Sequence, residues 1–158
     1  MTPMRNKQLL TILILAVAAV FTGCDRRTVY SHYEHVPLEG WEKIDTLFFE
    51  IPPVKEVGTY QQEIGIRTDI SFPFQSIALN VAQDVFPQGT HTKTTKECVL
   101  YDESGKERGS GISRFLYEVH LRDIQLNQGD SLRIYVTHNM RREIMTGVTD
   151  IGIILRKK

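Results

Sequence analysis

The stretch SIALNVAQDV, residues 76–85, alternates apolar and polar side chains with a period of two. Its apolar positions are Ile77, Leu79, Val81 and Val85. Successive side chains of a β-strand point to opposite faces, so this alternation predicts a strand with one face against a core and the other towards water. Pro87-Gln88-Gly89 follows directly and predicts a turn.

The same period recurs on both sides of this stretch, between polar turns. It predicts further strands at Thr46–Ile51, Tyr60–Thr68, Thr90–Tyr101, Ser131–His138 and Asp150–Leu155. Phe115–Leu121 fits strand alternation and a helical face equally well, and we interpret it as a strand. Seven or eight strands at spacings of roughly ten residues predict an all-β fold, an antiparallel β-sandwich of immunoglobulin-like or jelly-roll-like arrangement, over residues 41–158.

Composition limits the classes of protein to consider. The 158 residues suffice for one domain, and 19 basic against 19 acidic side chains create no positive field to attract nucleic acid. The two cysteines, Cys24 and Cys98, have different predicted fates, which excludes a disulfide scaffold. The sequence therefore predicts a single globular domain that depends on an apolar core.

The N-terminus has the architecture of a signal peptide. Arg5 and Lys7 precede the apolar run 9–21, which is too short to span a bilayer comfortably. Phe21-Thr22-Gly23-Cys24 resembles a bacterial lipobox, which implies cleavage after Gly23 and acylation of Cys24. We therefore expect a signal peptide over residues 1–23 and a lipidated N-terminus with a polar tether over residues 24–40, attached to a membrane by its acyl chains.

Side chains capable of catalysis or metal binding are present, but their spacing selects no site. His32, His35, His91, His120 and His138 lie on the predicted tether or on different strands, so no metal site or cofactor is predicted. Ser110 lacks the sequence surroundings of a catalytic serine. We expect Cys98 to be a small core residue, and no neighbouring feature indicates an activated thiol. The acidic side chains available for hydrolysis, with no pair singled out by spacing, are Glu97, Glu103, Glu107, Glu118 and Asp123.

One segment combines unusual side chains at a strand end. His138-Asn139-Met140-Arg141-Arg142 places a histidine beside two arginines. Arginine binds carboxylates through two parallel hydrogen bonds, so His138, Arg141 and Arg142 are a candidate interaction site for an acidic group. The alternative is that both arginines are solvated loop charges.

The order of several short motifs is similar to that in the gliding motility-associated lipoprotein family of Bacteroidetes, the GldH type. The motifs are Cys24, Phe72-Pro73-Phe74, Phe86-Pro87-Gln88-Gly89, the run 102–111, His138-Asn139-Met140-Arg141 and the run 147–152. The resemblance implies a cell-envelope lipoprotein linked to gliding and to type IX secretion. It brings no catalytic residues, and its one functional position here is Cys24.

These observations favour a non-enzymatic, lipid-anchored, periplasm-facing component of an envelope machine with protein partners. The alternative is a carbohydrate-binding β-sandwich, in which aromatic platforms would come from Trp41, Tyr60, Tyr101, Tyr117 and Tyr135. A third hypothesis is an envelope hydrolase that uses a pair of carboxylates.

Overall fold

The computed structural model describes residues 27–158, which form eleven β-strands and no helix. The strands are Thr28–His35 (β1), Trp41–Glu42 (β2), Leu47–Ile51 (β3), Gly58–Asp69 (β4), Ser76–Phe86 (β5), Thr90–Val99 (β6), Ser110–Gly111 (β7), Arg114–Leu126 (β8), Ser131–His138 (β9), Ile144–Met145 (β10) and Val148–Lys157 (β11). The predicted strand Ser131–His138 has the observed bounds, and the ambiguous stretch 115–121 lies within β8.

The eight long strands form two antiparallel sheets. One has the order β1-β11-β4-β8 with the short β7 at its edge, and the other has the order β3-β9-β5-β6. Counted along the chain, the long strands therefore lie in the orders 1-8-3-6 and 2-7-4-5, which is the jelly-roll arrangement. The prediction of an all-β antiparallel sandwich is confirmed, and the strand order selects the jelly-roll-like alternative.

The apolar faces of the two sheets meet in the core. From the first sheet, Ile64 and Ile66 of β4 and Ile153 of β11 are fully buried, as the alternation in the sequence predicts. The second sheet contributes Leu79 of β5 and Ile134 of β9, which are also fully buried. The alternation that predicts the strands is therefore the pattern that fills the space between the sheets.

Residues 28–35 differ from the sequence prediction. The prediction of a polar tether is wrong for these residues. They form β1, which pairs with β11 from Thr28↔Arg156 to His35↔Asp150. Strand pairing uses backbone N–H and C=O groups, so a strand at a sheet edge needs little apolar alternation of its own. Residues 24–26 lie outside the described part of the chain.

Tyr33 explains how β1 attaches to the outer face of its sheet. Its ring lies across Gly152 of β11 and Gly65 of β4, and a Cβ at Gly152 would come within 2.6 Å of the ring. The Arg67 guanidinium lies 4.0 Å from the centroid of the same ring. The two glycines thus provide a shallow surface on which an aromatic ring packs flat, with a cation above it.

A buried pair of amides bridges the two sheets. Gln62 of β4 donates from Nε2 to Oε1 of Gln83 on β5 at 2.8 Å, and both side chains are buried. Gln62 Oε1 and Gln83 Nε2 have no hydrogen-bond partner. One good hydrogen bond therefore stands beside two unpaired polar atoms inside the sandwich.

The two ends of the sandwich carry different connections. The proximal end contains the start of β1 and the connections 52–57, 87–89 and 127–130. The distal end contains the connections 36–46, 70–75, 100–113 and 139–147, the third of which includes β7. In the first and last of these, β2 pairs with β10 through Glu42↔Ile144 and Met145↔Trp41. The chain leading to Cys24 therefore leaves from the end opposite to the longer connections.

Candidate functional site

Cys24, the predicted lipidation site, lies outside the described residues. The first described strand begins at Thr28, only four residues later. A chain spans at most about 3.6 Å per residue, so these four residues reach about 14 Å. If Cys24 is acylated, the proximal end of the sandwich is held close to the membrane surface.

His138 is a core residue at the end of β9. It is 1% exposed, and its ring packs edge-on against the Trp41 indole with centroids 5.3 Å apart. Nε2 lies 3.1 Å from the Trp41 carbonyl oxygen, to which it donates, while Nδ1 accepts from the Met140 backbone N–H at 3.4 Å. Burial lowers the pKa of His138, against the opposing effect of its backbone hydrogen bonds. The surroundings therefore favour the neutral ring.

Arg141 and Arg142 lie in the connection that follows β9, and both are exposed. The Arg142 guanidinium lies 5.4 Å from the centroid of the Phe74 ring. Since His138 faces the core beside Trp41, the structure does not bring the three candidate residues to one exposed surface. Arg141 and Arg142 remain available to an acidic partner without the histidine.

The other histidines each face a carboxylate. His91 Nδ1 lies 2.7 Å from Asp84, His32 Nε2 lies 2.8 Å from Glu34, and His35 contacts Asp150. Among residues 27–158 no group of three or more metal-ligating side chains is arranged to hold an ion.

Four of the five acidic side chains considered for hydrolysis engage separate partners. Glu97 accepts a hydrogen bond from Ser76 at 2.9 Å, and Glu118 accepts one from Arg156 at 3.0 Å. Glu107 accepts from the Tyr117 hydroxyl, and Asp123 pairs with Lys158. These contacts tie each carboxylate to a cation or hydroxyl rather than to a second carboxylate.

Cys98 is fully buried on β6, and burial raises the pKa of its thiol to about 11. The thiolate is the nucleophilic form of cysteine, so this thiol is unreactive in the folded protein at neutral pH.

Three of the five aromatic residues considered as a sugar platform belong to the core. Trp41, Tyr60 and Tyr117 are at most 4% exposed. Trp41 donates from Nε1 to the Asp45 carbonyl at 3.0 Å, so both its face and its polar atom are used within the fold. Of the five, Tyr101 and Tyr135 are half-buried.

A groove of about 710 Å³ lies between β6 and β8. Its lining includes Lys96 and Arg108 as well as Glu97, Glu118 and His120. Charges of both signs are mixed along it, so its electrostatics favour no single class of ligand.

A group of aliphatic side chains at the distal end was not selected by the sequence analysis. We call Leu38, Ile44, Ile70, Ile112 and Ile144 the distal crown; each lies in a different part of the distal connections and is between 48% and 99% exposed. Isolated apolar residues in turns form no alternating pattern. From the sequence, exposure can be inferred only from their position outside the predicted strands. The folded chain is needed to show that they share one end.

The described part of the chain contains no helix with the length and hydropathy needed to cross a bilayer. Comparison with known proteins gives one curated relative of matching length. Gliding motility lipoprotein GldH of Flavobacterium johnsoniae is 24% identical over 162 residues, which span 93% of this chain and 95% of that protein.

Solved structures show weaker likenesses. A family 35 carbohydrate-binding module from Clostridium thermocellum is 11% identical with a TM-score of 0.43, over 82% of this chain and 90% of the module. A family GH115 4-O-methyl-α-glucuronidase is 14% identical with a TM-score of 0.45, over 85% of this chain and 18% of the enzyme.

The family comparison covers most of the described residues. The GldH lipoprotein family model matches residues 28–155, from the first residue of β1 almost to the end of β11. The match thus includes residues of every strand of the jelly roll, and the chain belongs to the GldH lipoprotein family.

Proposed function

We propose that this protein is a lipid-anchored, periplasm-facing accessory of the gliding motility and type IX secretion machinery, and that it acts by binding rather than by catalysis. The observation that carries the proposal is the family match over residues 28–155 together with a full-length relative named for gliding motility. The lipid on Cys24 would confine the domain to a membrane surface and raise its effective concentration near its partners.

The geometry at the proximal end supports anchoring. Thr28, the first residue of β1, lies only four positions after Cys24, so the acylated chain would hold the sandwich at the bilayer. After loss of Arg5 and Lys7 the chain has 17 basic and 19 acidic side chains, which is too little positive charge for electrostatic binding to anionic lipids. The acyl chains would therefore supply the attachment.

The side chains considered for chemistry support a binding role. Glu97, Glu107, Glu118 and Asp123 are engaged with separate partners, and the Cys98 thiol is protonated in the core. Hydrolysis by two carboxylates needs them to face each other across the scissile bond. The arrangement of these side chains favours neither a carboxylate pair nor a thiolate nucleophile.

The proposal is tested by deleting the gene in the native host and restoring it with the wild-type chain or with Cys24→Ala. Gliding is scored where the host glides, and release of secreted proteins where it does not. We expect deletion to abolish the phenotype and Cys24→Ala to fail to restore it at normal protein levels.

Cys98→Ala is the matched control, since it removes the other cysteine and leaves the anchor in place. We expect it to restore the phenotype. Normal gliding and secretion in the deletion strain would overturn the proposed function, and full restoration by Cys24→Ala would overturn the requirement for the anchor.

A further inference from the structure

The distal crown is the largest concentration of exposed apolar side chains in the described part of the chain. Residues 27–158 contain nine large hydrophobic side chains that are exposed, and five of them lie in the distal connections. Leu38 is 99% exposed and Ile112 is 94% exposed. Single exposed apolar residues are ordinary, but a group that rests on four connections at one end of a fold is characteristic of an interaction site.

Backbone contacts join the distal connections into one surface. Asp69 donates from its backbone N–H to the Gly147 carbonyl at 2.9 Å, and Asp69 pairs with Arg114 across β4 and β8. A groove of about 300 Å³ runs between Leu38 and these three residues. Ile70 follows Asp69 directly, and Ile112 lies two positions before Arg114. Leu38 therefore lines this groove, and Ile70 and Ile112 lie within two positions of residues that line it.

The remaining two crown residues adjoin the first group. Lys43 donates from its backbone N–H to the Glu143 carbonyl at 2.8 Å, which holds the turn of Ile44 beside that of Ile144. The Ile144 side chain packs directly on Gly40, two positions after Leu38. The segments that carry Ile44, Ile144 and Leu38 are therefore in contact through Lys43, Glu143 and Gly40.

We propose that the distal crown is the docking surface for a second envelope protein, which offers an apolar recess to Leu38, Ile70 and Ile112. This inference rests on the proposed function, in which Cys24 is acylated after removal of residues 1–23. The choice of partner follows from the short distance between Cys24 and β1, from the charge of the distal end and from the symmetry of an anchored pair.

In the acylated protein, the stretch between Cys24 and β1 is too short to reach the crown. Residues 24–27 span at most about 14 Å, whereas β1, which separates them from the distal end, rises about 26 Å over its eight residues. The same geometry places the anchor, and the membrane that holds it, at the opposite end of the sandwich.

Charge argues against a lipid surface as the occupant. The distal connections 36–46, 70–75, 100–113 and 139–147 contain seven acidic and five basic side chains, a net charge of −2. Anionic headgroups attract clusters of lysine and arginine, and this surface offers no such excess. A mixture of both signs around an apolar centre is the composition of a protein–protein interface with a polar rim.

A second copy of the chain does not fit the geometry of anchoring. Two copies joined crown to crown would be related by a two-fold axis across the line that joins them. Their proximal ends, and the lipids on them, would then point in opposite directions. Two chains anchored in one membrane cannot adopt that arrangement, so the partner is a different protein.

The experiment places a photocrosslinking amino acid at Leu38, Ile70 or Ile112 of the full chain in its native host, with Val57 at the proximal end as the control. Val57 is 59% exposed, so a probe there is also accessible to other proteins. We expect one discrete adduct with another envelope protein from the crown positions and none from Val57. An adduct of twice the mass of the chain, or adducts with lipid alone, or no adduct, would overturn the proposal.

A triple variant, Leu38→Ser with Ile70→Ser and Ile112→Ser, tests whether the adduct reflects a functional contact. A probe at Ile144 reports crosslinking in this background, and the matched control is Val29→Ser with Val57→Ser. Substitutions of exposed side chains away from special features change stability little, so all variants should fold. We expect the yield of adduct to fall about tenfold or more in the triple variant only. Gliding or secretion should be lost in the same variant and retained in the control.

One outcome is normal function of the triple variant in a host whose deletion strain is defective. That result would overturn the crown as a docking surface but would not contradict the proposed function. A deletion strain without any defect would overturn the proposed function itself. The two failures are therefore distinguishable.

Discussion

The buried pair Gln62 and Gln83 predicts that a double substitution stabilises the protein although each single substitution destabilises it. The pair makes one hydrogen bond of 2.8 Å and leaves one oxygen and one nitrogen unpaired. Replacing Gln62 by the similarly shaped Met removes the bond together with the unpaired Gln62 Oε1. It also leaves Gln83 Oε1 without a partner beside Gln83 Nε2, so two unpaired atoms remain. Each single Gln→Met variant should therefore lose about 1 kcal/mol, the net value of a hydrogen bond.

The double variant removes the bond and both unpaired atoms. Each buried unpaired group costs at least about 1 kcal/mol, so relief of two offsets the lost bond and leaves a gain of about 1 kcal/mol. If the two single losses were additive, the double variant would lose about 2 kcal/mol. It should instead gain about 1 kcal/mol, so the interaction energy between the two sites is about 3 kcal/mol.

The assay is urea unfolding of the chain without its signal peptide and with Cys24→Ala, for all four members of the cycle. Gln125→Met is the control, because Gln125 is exposed and bonds Thr59 at the surface, so it should change stability by no more than about 0.5 kcal/mol. Additive single effects in the double variant would refute the argument, since they would show that the unpaired atoms carry no energetic cost.

Three further predictions concern the core. Trp41→Ala should destabilise the fold by about 3–5 kcal/mol in denaturant unfolding, because the indole is fully buried beside His138, and a loss below about 1 kcal/mol would contradict this packing. Burial lowers the pKa of His138 in the folded state, so near the usual histidine pKa of about 6.5 the unfolded chain binds more protons than the folded chain. Stability should therefore fall as the pH drops through about 6.5. His138→Gln should remove this component of the pH dependence, and an unchanged slope would show that the ring is accessible to protons. The Cys98 thiol, with a pKa near 11, should resist a thiol-specific reagent at about pH 8 in the folded protein and react at once in denaturant; rapid labelling of the native protein would contradict its burial.

Local pattern was sufficient for most strands and insufficient for β1. The alternation at 76–85 and 131–138 is visible in the sequence because both strands bury one face, and their side chains record that burial. In β1 the half-buried Tyr33 and Glu34 are adjacent and break the alternation. Its place depends on backbone pairing with β11 and on the Tyr33 ring over Gly152, which are contacts with residues more than one hundred positions away.

The candidate site shows the same division. The N-terminal motif that predicts acylation of Cys24 is a contiguous stretch and needs no folding to be recognised. His138, by contrast, lies in a segment with two arginines, which suggests an exposed charged surface. Only its position against Trp41 shows that the ring faces the core. Side-chain type predicts what a residue is able to bind, whereas burial decides whether it is accessible.

The sequence by itself determined the all-β class and the turns, and it predicts the lipid anchor on Cys24, because strand period, turn chemistry and signal motifs are properties of neighbouring residues. The tertiary structure decided the sheet order, the recruitment of β1 and the placement of the connections that carry Leu38, Ile70 and Ile112 at the end opposite to the start of β1. These features arise from contacts between distant parts of the chain, and no local pattern of side chains specifies which distant strand or connection will be the neighbour.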